Sequence, residues 1–427
     1  MELVLERINK LKGDISVPGD KSISHRSLIL GSIAQGETRI YNFLNSLDCL
    51  STLECMRTLG VEIKRGSNNS IKIKGKGLYG LEEPKDILDV GNSGTAVRLL
   101  AGLISGQKFY SVLNGDDSIR KRPMKRVVEP LRLMGANIWG REDGELTPLS
   151  IKGSRLNPLC YTLPVASAQV KSALLLAGLY IKGETVIKEP LPTRDHTERM
   201  LKIMQADIKI SPLEIKIRGG RELKGTDIFV PGDISSAAYF IIAASMLKGS
   251  QVIIKQVGFN PTRIGIIEIL NKMGAKIDIL NYQIKSNEPR ADLKIEYSEL
   301  KGVEIGKENI PFLIDELPLI AVLATQAQGE TVVSGAKELR VKETDRIKAI
   351  VNELRKMGAN IKEKEDGFIV KGPSKLHSAV CNSYNDHRIA MSLAVAALLA
   401  EGKTIIKNSE CIDISFPGFE KTLQKLI

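Results

Sequence analysis

Aromatic side chains make up only 4% of the 427 residues, and Trp139 is the single tryptophan. Surface for stacking bases is therefore scarce, which weighs against reading the net charge of +11 as a nucleic-acid footprint. Cysteine is sparse as well. Cys49, Cys55, Cys160, Cys381 and Cys411 form an odd, scattered set without a CxxC pair, the pattern of reduced packing thiols rather than a disulfide framework. Four histidines, with no HExxH motif or Cys/His cluster, supply no protein-built metal site. Apolar runs such as Leu174 to Leu179 and Ile389 to Leu399 are too short or interrupted to span a bilayer. The opening Met1-Glu2-Leu3-Val4 resembles neither a signal peptide nor a transit segment, so a cytoplasmic location is expected.

What the chain does contain is repetition. Val17-Pro18-Gly19-Asp20-Lys21-Ser22 returns as Val230-Pro231-Gly232-Asp233-Ile234-Ser235, each copy running into an apolar helical stretch. Six times an apolar helical run ends in a glycine shortly before a β-branched strand: at Gly36, Gly106, Gly183, Gly249, Gly329 and Gly402. A second helix then closes on a tag, Leu59-Gly60-Val61, Met134-Gly135-Ala136, Met204-Gln205-Ala206, Met273-Gly274-Ala275 or Met357-Gly358-Ala359. No sixth tag occurs, and the chain stops on that helix. Glycine just past a helix suits the left-handed cap, and alternation such as Ile71-Lys72-Ile73-Lys74 marks a half-exposed strand. The unit is α/β, repeated six times, and its period is too long for the common solenoids; two similar lobes of three units each are expected.

Charge gathers at predicted helix starts. Lys21-Ser22-Ile23-Ser24-His25-Arg26 is read as preceding a helix over Leu28 to Ile33, and Gly91-Asn92-Ser93-Gly94-Thr95 as preceding Ala96 to Leu103, which carries Arg98. Ser167-Ala168-Gln169 opens Val170 to Leu179, and Asp386-His387-Arg388 opens Ile389 to Leu399. A helix N-terminus offers unpaired N–H groups and partial positive charge to an anion, although Ser, Thr, Asn and Asp also serve there simply as caps. Three more charged stretches follow repeat strands: Asn114 to Met124 with Arg120, Lys121 and Arg122; Thr193 to Arg199; and Leu339 to Arg346. Each alone reads as a solvated, salt-bridged helix start. Recurrence at equivalent points of the repeat argues for a shared destination, small and highly anionic substrates.

These segments carry a resemblance. PGDKSISHR, GNSGTAVR, DDSIRKRPM, ASAQVKSALLLAGL, RDHTERML, DELP, KETDR and DHRIAMS, in this order from about Leu11 to Phe419, resemble the 5-enolpyruvylshikimate-3-phosphate synthase family. The resemblance implies an enolpyruvyl transferase-like, inside-out α/β barrel fold. Its two lobes would each hold three inverted α/β units, with both VPGD segments at the crossovers. The lower lobe would be discontinuous, 1–18 plus 231–427, the upper lobe 19–230, and the active site would lie in the cleft between them. The implied activity is transfer of the enolpyruvyl group of phosphoenolpyruvate to the 5-hydroxyl of shikimate 3-phosphate. Phosphate is released through a tetrahedral intermediate, in the shikimate pathway to chorismate and the aromatic amino acids. By the same resemblance the enzyme would work as a monomer without cofactor or metal, and glyphosate would compete with phosphoenolpyruvate.

Residue roles follow by similarity. Lys21, Gly94, Arg122, Gln169, Arg346 and Arg388 would hold phosphoenolpyruvate. Lys21, Ser22, Arg26, Ser167, Gln169, Arg194, Asp315 and Lys342 would hold shikimate 3-phosphate. Asp315 is assigned as base toward the hydroxyl and Glu343 as the acid protonating the methylene carbon, with Lys21 and His387 assisting; the carboxylate roles can exchange between addition and elimination. Two departures stand out: Ile414 occupies a place where some relatives have lysine, and Ala168 one where some have serine. The sister enzyme acting on UDP-N-acetylglucosamine is the nearest alternative. It typically carries a reactive cysteine five residues before an Arg-Pro pair, where this chain has Asp117 before Arg122-Pro123. A basic nucleic-acid-binding repeat protein is the remote one.

Overall fold

One backbone position in each tag ends the second helix of a repeat. Gly60, Gly135, Gly274 and Gly358 hold φ between +84° and +94°, and Gln205 holds +66° without glycine's freedom. The computed structural model describes residues 1–427 and contains six separate sheets, none closed into a barrel. Between Leu88 and Lys152 the repeat is complete. Strand Leu88–Asp89 leads to helix Gly94–Ser105, strand Tyr110–Asn114 and helix Lys125–Leu133, then to antiparallel strands Asn137–Gly140 and Leu146–Lys152. The first two strands are parallel, and the order across the sheet is first, second, fourth, third. Cys160–Arg218 and Glu304–Gly372 repeat that order.

The remaining three sheets borrow a strand. Lys12–Ser16 precedes helix Lys21–Ser32 in the chain, yet it pairs in parallel with Gln251–Gly258. Asp227–Phe229 precedes helix Ile234–Met246, yet it pairs with Ala34–Tyr41. Each VPGD copy is the link between a strand of one sheet and a helix that covers another. The sixth sheet explains the missing tag: its last strand is Glu2–Glu6, antiparallel to Lys403–Lys407 with Glu2 opposite Lys407 and Glu6 opposite Lys403.

Two compact units result, one of Met1–Pro18, Pro231–Ile284 and Pro289–Ile427, the other of Gly19–Val230 and Lys285–Glu288. Assigning Lys285–Glu288 to the second unit departs from the expected boundary. The cause is local: Glu288 pairs with His196 Nδ1 at 2.8 Å, and Lys285 Nζ lies 3.4 Å from the Phe229 ring centre. Each unit has its own core. In each, the first helices of the repeats are buried almost all round, Ile234–Met246 and Leu317–Ala324 entirely so. Such helices need no polar face. Their approach is close, since a Cβ on Gly102 would fall 2.2 Å from the Ala173 carbonyl oxygen of the neighbouring helix Ala168–Gly178. No helix is long and apolar enough to cross a membrane.

Candidate active site

In the unit built on residues 19–230, the stretch expected to precede a helix is the helix itself. The Asp20 side chain accepts from the Ile23 N–H at 2.9 Å, so Lys21 becomes the first helical residue and Arg26 lies in the second turn. Lys21 forms an ion pair with the buried carboxylate of Asp48. Arg26 is buried and donates to three neutral oxygens: Thr197 Oγ1 at 2.7 Å, Ser172 Oγ at 2.8 Å and the Ser22 carbonyl at 3.0 Å. Burial, opposed by Glu198 and reinforced by half-buried Arg194, lowers its pKa to about 10. The guanidinium stays charged at neutral pH in a setting suited to an incoming anion.

Gly94 opens the next helix, behind the cap that Ser93 makes to the Ala96 N–H. A Cβ there would stand 2.9 Å from Nη1 of both Arg122 and Arg98, so only glycine leaves both guanidinium groups in place. Arg122 donates to Asn92 Oδ1 at 2.9 Å and Ser118 Oγ at 3.1 Å. Arg98 donates to Gln169 Oε1 at 2.8 Å, and Gln169 in turn donates to Thr95 Oγ1 at 3.0 Å. Ser167 caps the helix Ala168–Gly178 that carries both Gln169 and Ser172. Contacts therefore run from Arg122 past Gly94, Arg98 and Gln169 to Ser172, Arg26 and Ser22. Ala168 is the first helical residue, and the cap beside it is made by Ser167.

The other unit gathers carboxylates around arginines. Arg346, 2% exposed, donates through Nε to Asp386 Oδ2 at 2.8 Å, through Nη2 to Glu343 Oε2 at 2.6 Å and through Nη1 to Asp315 Oδ1 at 3.4 Å. Burial pulls its pKa down, but Asp386, Glu343 and Asp315 outweigh that and raise it. Arg388 behaves alike: burial opposes the charge, while Asp315 leads the groups that restore it, its oxygen 3.8 Å from Nη2. Glu316 lies 3.7 Å from Arg388 Nη1 and accepts from the Ser235 hydroxyl. Asp386 caps the helix His387–Ala397, placing buried His387 and then Arg388 in its first turn. Lys342 stands apart in the contacts it makes, pairing with Glu338 at 3.2 Å. Ile414 ends the short 3-10 helix Ser409–Ile414, partly buried against the core of its unit.

Several residues that shape these groups escape a reading of the sequence. Asp386 has a signal there, the capping position of a quoted motif. Arg98, Ser172 and Thr197 lie inside quoted motifs without a role assigned to Ser172 or Thr197, and Asp48 lies outside every motif; the contact of Ser172 and Thr197 with Arg26 arises only where two repeats meet.

A family model described as EPSP synthase (3-phosphoshikimate 1-carboxyvinyltransferase) matches residues 5–423. A 3-phosphoshikimate 1-carboxyvinyltransferase of Desulforamulus reducens is 51% identical over 427 residues, covering 100% of both chains. One from Petrotoga mobilis is 52% identical, covering 100% of this chain and 99% of its own. Among solved structures, EPSP synthase from Acinetobacter baumannii superposes with a TM-score of 0.89 at 45% identity, covering 100% of this chain and 98% of that one. The enolpyruvyl transferase NikO from Streptomyces tendae, 18% identical with a TM-score of 0.80 over 100% of this chain and 97% of that one, shares the fold. Matched along nearly its whole length, the chain belongs to the EPSP synthase family.

Proposed function

We propose that the chain transfers the enolpyruvyl group of phosphoenolpyruvate to the 5-hydroxyl of shikimate 3-phosphate and releases inorganic phosphate. The observation that carries the chemistry is Arg346, one buried guanidinium bonded to both assigned proton carriers, Asp315 and Glu343. In the addition step the methylene carbon of phosphoenolpyruvate takes a proton from Glu343 while Asp315 accepts the hydroxyl proton, and the hydroxyl oxygen bonds to the central carbon. In the elimination step the methyl group of that adduct returns a proton, the C–O bond to phosphate breaks, and the enol ether forms. A guanidinium hydrogen-bonded to a carboxylate disfavours its protonation. A donor anion that draws Arg346 and Arg388 toward itself takes hydrogen bonds from the two carboxylates and leaves them to face the reacting atoms.

The cationic set of the other unit, Lys21, Arg26, Gly94, Arg122, Gln169 and Arg194 with Ser22 and Ser167, supplies the remaining anion contacts, and Lys342 adds one more. UDP-N-acetylglucosamine is not favoured as acceptor, because no cysteine lies between Cys55 and Cys160. The same reading makes the protein a cytoplasmic monomer, which light scattering tests for the assembly and fractionation for the location. Phosphate release is the decisive assay, run with phosphoenolpyruvate and either shikimate 3-phosphate or UDP-N-acetylglucosamine. Release with the shikimate acceptor alone is expected; release only with the sugar nucleotide, or with neither, overturns the proposal. Asp315→Ala and Glu343→Gln should each lower turnover by orders of magnitude with the fold intact. Near-normal turnover in either would remove that residue from proton transfer.

A further inference from the structure

In the unit that holds Asp315 and Glu343, one helix grips one turn at two points. Arg346 and Glu353 lie seven residues apart in the helix Arg346–Lys356, so two helical turns bring them to nearly the same face. Arg346 holds Asp386 at 2.8 Å. Farther along, Glu353 accepts from Tyr384 Oη at 2.6 Å and from the Asn382 N–H at 3.1 Å. All of these partners sit in the turn 382–386 that feeds the helix His387–Ala397.

That turn is strained. Tyr384 and Asn385 are consecutive left-handed residues, φ +55° and +57°, a conformation an aromatic residue adopts only at a cost. Its backbone is tied by Tyr384 N–H to Asn382 Oδ1 at 2.7 Å and by Asn385 N–H to Ser383 Oγ at 3.1 Å. A purely structural reading of Glu353 would need only a counter-ion, which Lys356 provides with two contacts of 2.8 Å. Tyr384 is 37% exposed and could reach water, yet its hydroxyl is bound to Glu353. The arrangement secures Asp386, whose Oδ1 caps the Arg388 N–H at 2.8 Å while Oδ2 orients Arg346.

We infer that Glu353 and Tyr384 are positioning residues for Arg346: they hold the left-handed turn that presents Asp386 and thereby aim the guanidinium at the anionic groups of the enolpyruvyl donor. The inference rests on the proposed donor role of Arg346, so the experiment carries that residue as its reference. Steady-state kinetics would be measured for Tyr384→Phe, Glu353→Gln, the double variant and Arg346→Lys. Tyr384→Phe, which removes one oxygen, is expected to raise KM for phosphoenolpyruvate about tenfold, the scale of one hydrogen bond to a charged group. KM for shikimate 3-phosphate should stay within about twofold, and the double variant should be no worse than the poorer single one, as for groups acting as a unit. If Arg346→Lys raises the donor KM while Tyr384→Phe and Glu353→Gln leave it unchanged, the positioning inference is overturned and the donor reading stands. A lowered melting temperature with unchanged KM values overturns it equally, since the two residues would then serve stability alone. If Arg346→Lys itself leaves the donor KM unchanged, the donor reading falls and takes this inference with it.

Discussion

His25 is buried completely between two cations of its own helix, Lys21 and Arg26. Its Nδ1 meets Thr52 Oγ1 at 2.7 Å, its Nε2 has no hydrogen-bond partner, and burial, reinforced by Lys21 and Arg26, holds its pKa well below the usual value. The folded protein refuses a proton that the unfolded chain accepts below about pH 6.5. Stability from this group is therefore complete above that pH and falls as the solution is acidified toward the lowered folded pKa. Moving from about pH 7 to about pH 5.5 should cost the native protein about 1 kcal/mol more than it costs His25→Gln. Denaturant midpoints at the two pH values check this, and equal acid losses would show that His25 is protonated in the folded state. Gly94 offers a second test at this scale. Gly94→Ala places a methyl 2.9 Å from two guanidinium ends, which are flexible enough to yield. The variant should fold while raising KM for phosphoenolpyruvate about tenfold through a displaced Arg122, with less effect on the acceptor; equal effects on both would take Gly94 and Arg122 out of the donor subsite.

At the level of elements, the repeat is legible because its punctuation is local. Glycine caps and apolar periodicity locate helices and strands without reference to distant parts of the chain. Gln205 is legible too, as the one tag without glycine, and its φ of +66° marks a site where Gln205→Gly should raise stability by up to about 1 kcal/mol in thermal or denaturant unfolding. No gain would mean that the entropy released to the unfolded chain cancels the relief of strain. Strand partnership is not legible. Lys12–Ser16, Asp227–Phe229 and Glu2–Glu6 carry ordinary strand patterns, and only tertiary pairing decides that each joins a sheet remote in sequence. The first helix starts earlier than its sequence suggests for a related reason, since Asp20 serves as cap in a segment whose Pro-Gly reads as a turn. Charged residues of the motifs can be named from sequence, whereas Ser172 and Thr197 gain meaning only through Arg26, brought from another repeat, and Asp48 only through its ion pair with Lys21. Deleting residues 2–6 tests the borrowed strand: Leu3 leaves the core and Lys403–Lys407 becomes an edge, a loss of about 2–3 kcal/mol. An unchanged melting temperature would show that the sixth sheet does not depend on it.

Across the whole molecule the charge is divided unevenly. Residues 19–230 hold 32 of the 61 basic side chains but only 23 of the 50 acidic ones, so nine of the eleven net positive charges fall there. At the duplicated segment both copies keep an aspartate as cap, Asp20 and Asp233, and the charge difference is the next residue, Lys21 in that unit and Ile234 in the other. A field of this sign accelerates arrival of a multiply negative acceptor only over distances that salt leaves unscreened, and the Debye length shrinks from about 20 Å at about 20 mM salt to about 6 Å at about 300 mM. Over that range kcat/KM for shikimate 3-phosphate should fall by about three- to tenfold, while kcat, set once both substrates are bound and water is excluded, changes by less than about twofold. Parallel loss of kcat would place the salt effect on the bound state. A kcat/KM indifferent to salt would mean that the nine excess charges contribute to solubility alone and that capture depends only on groups touching the substrate.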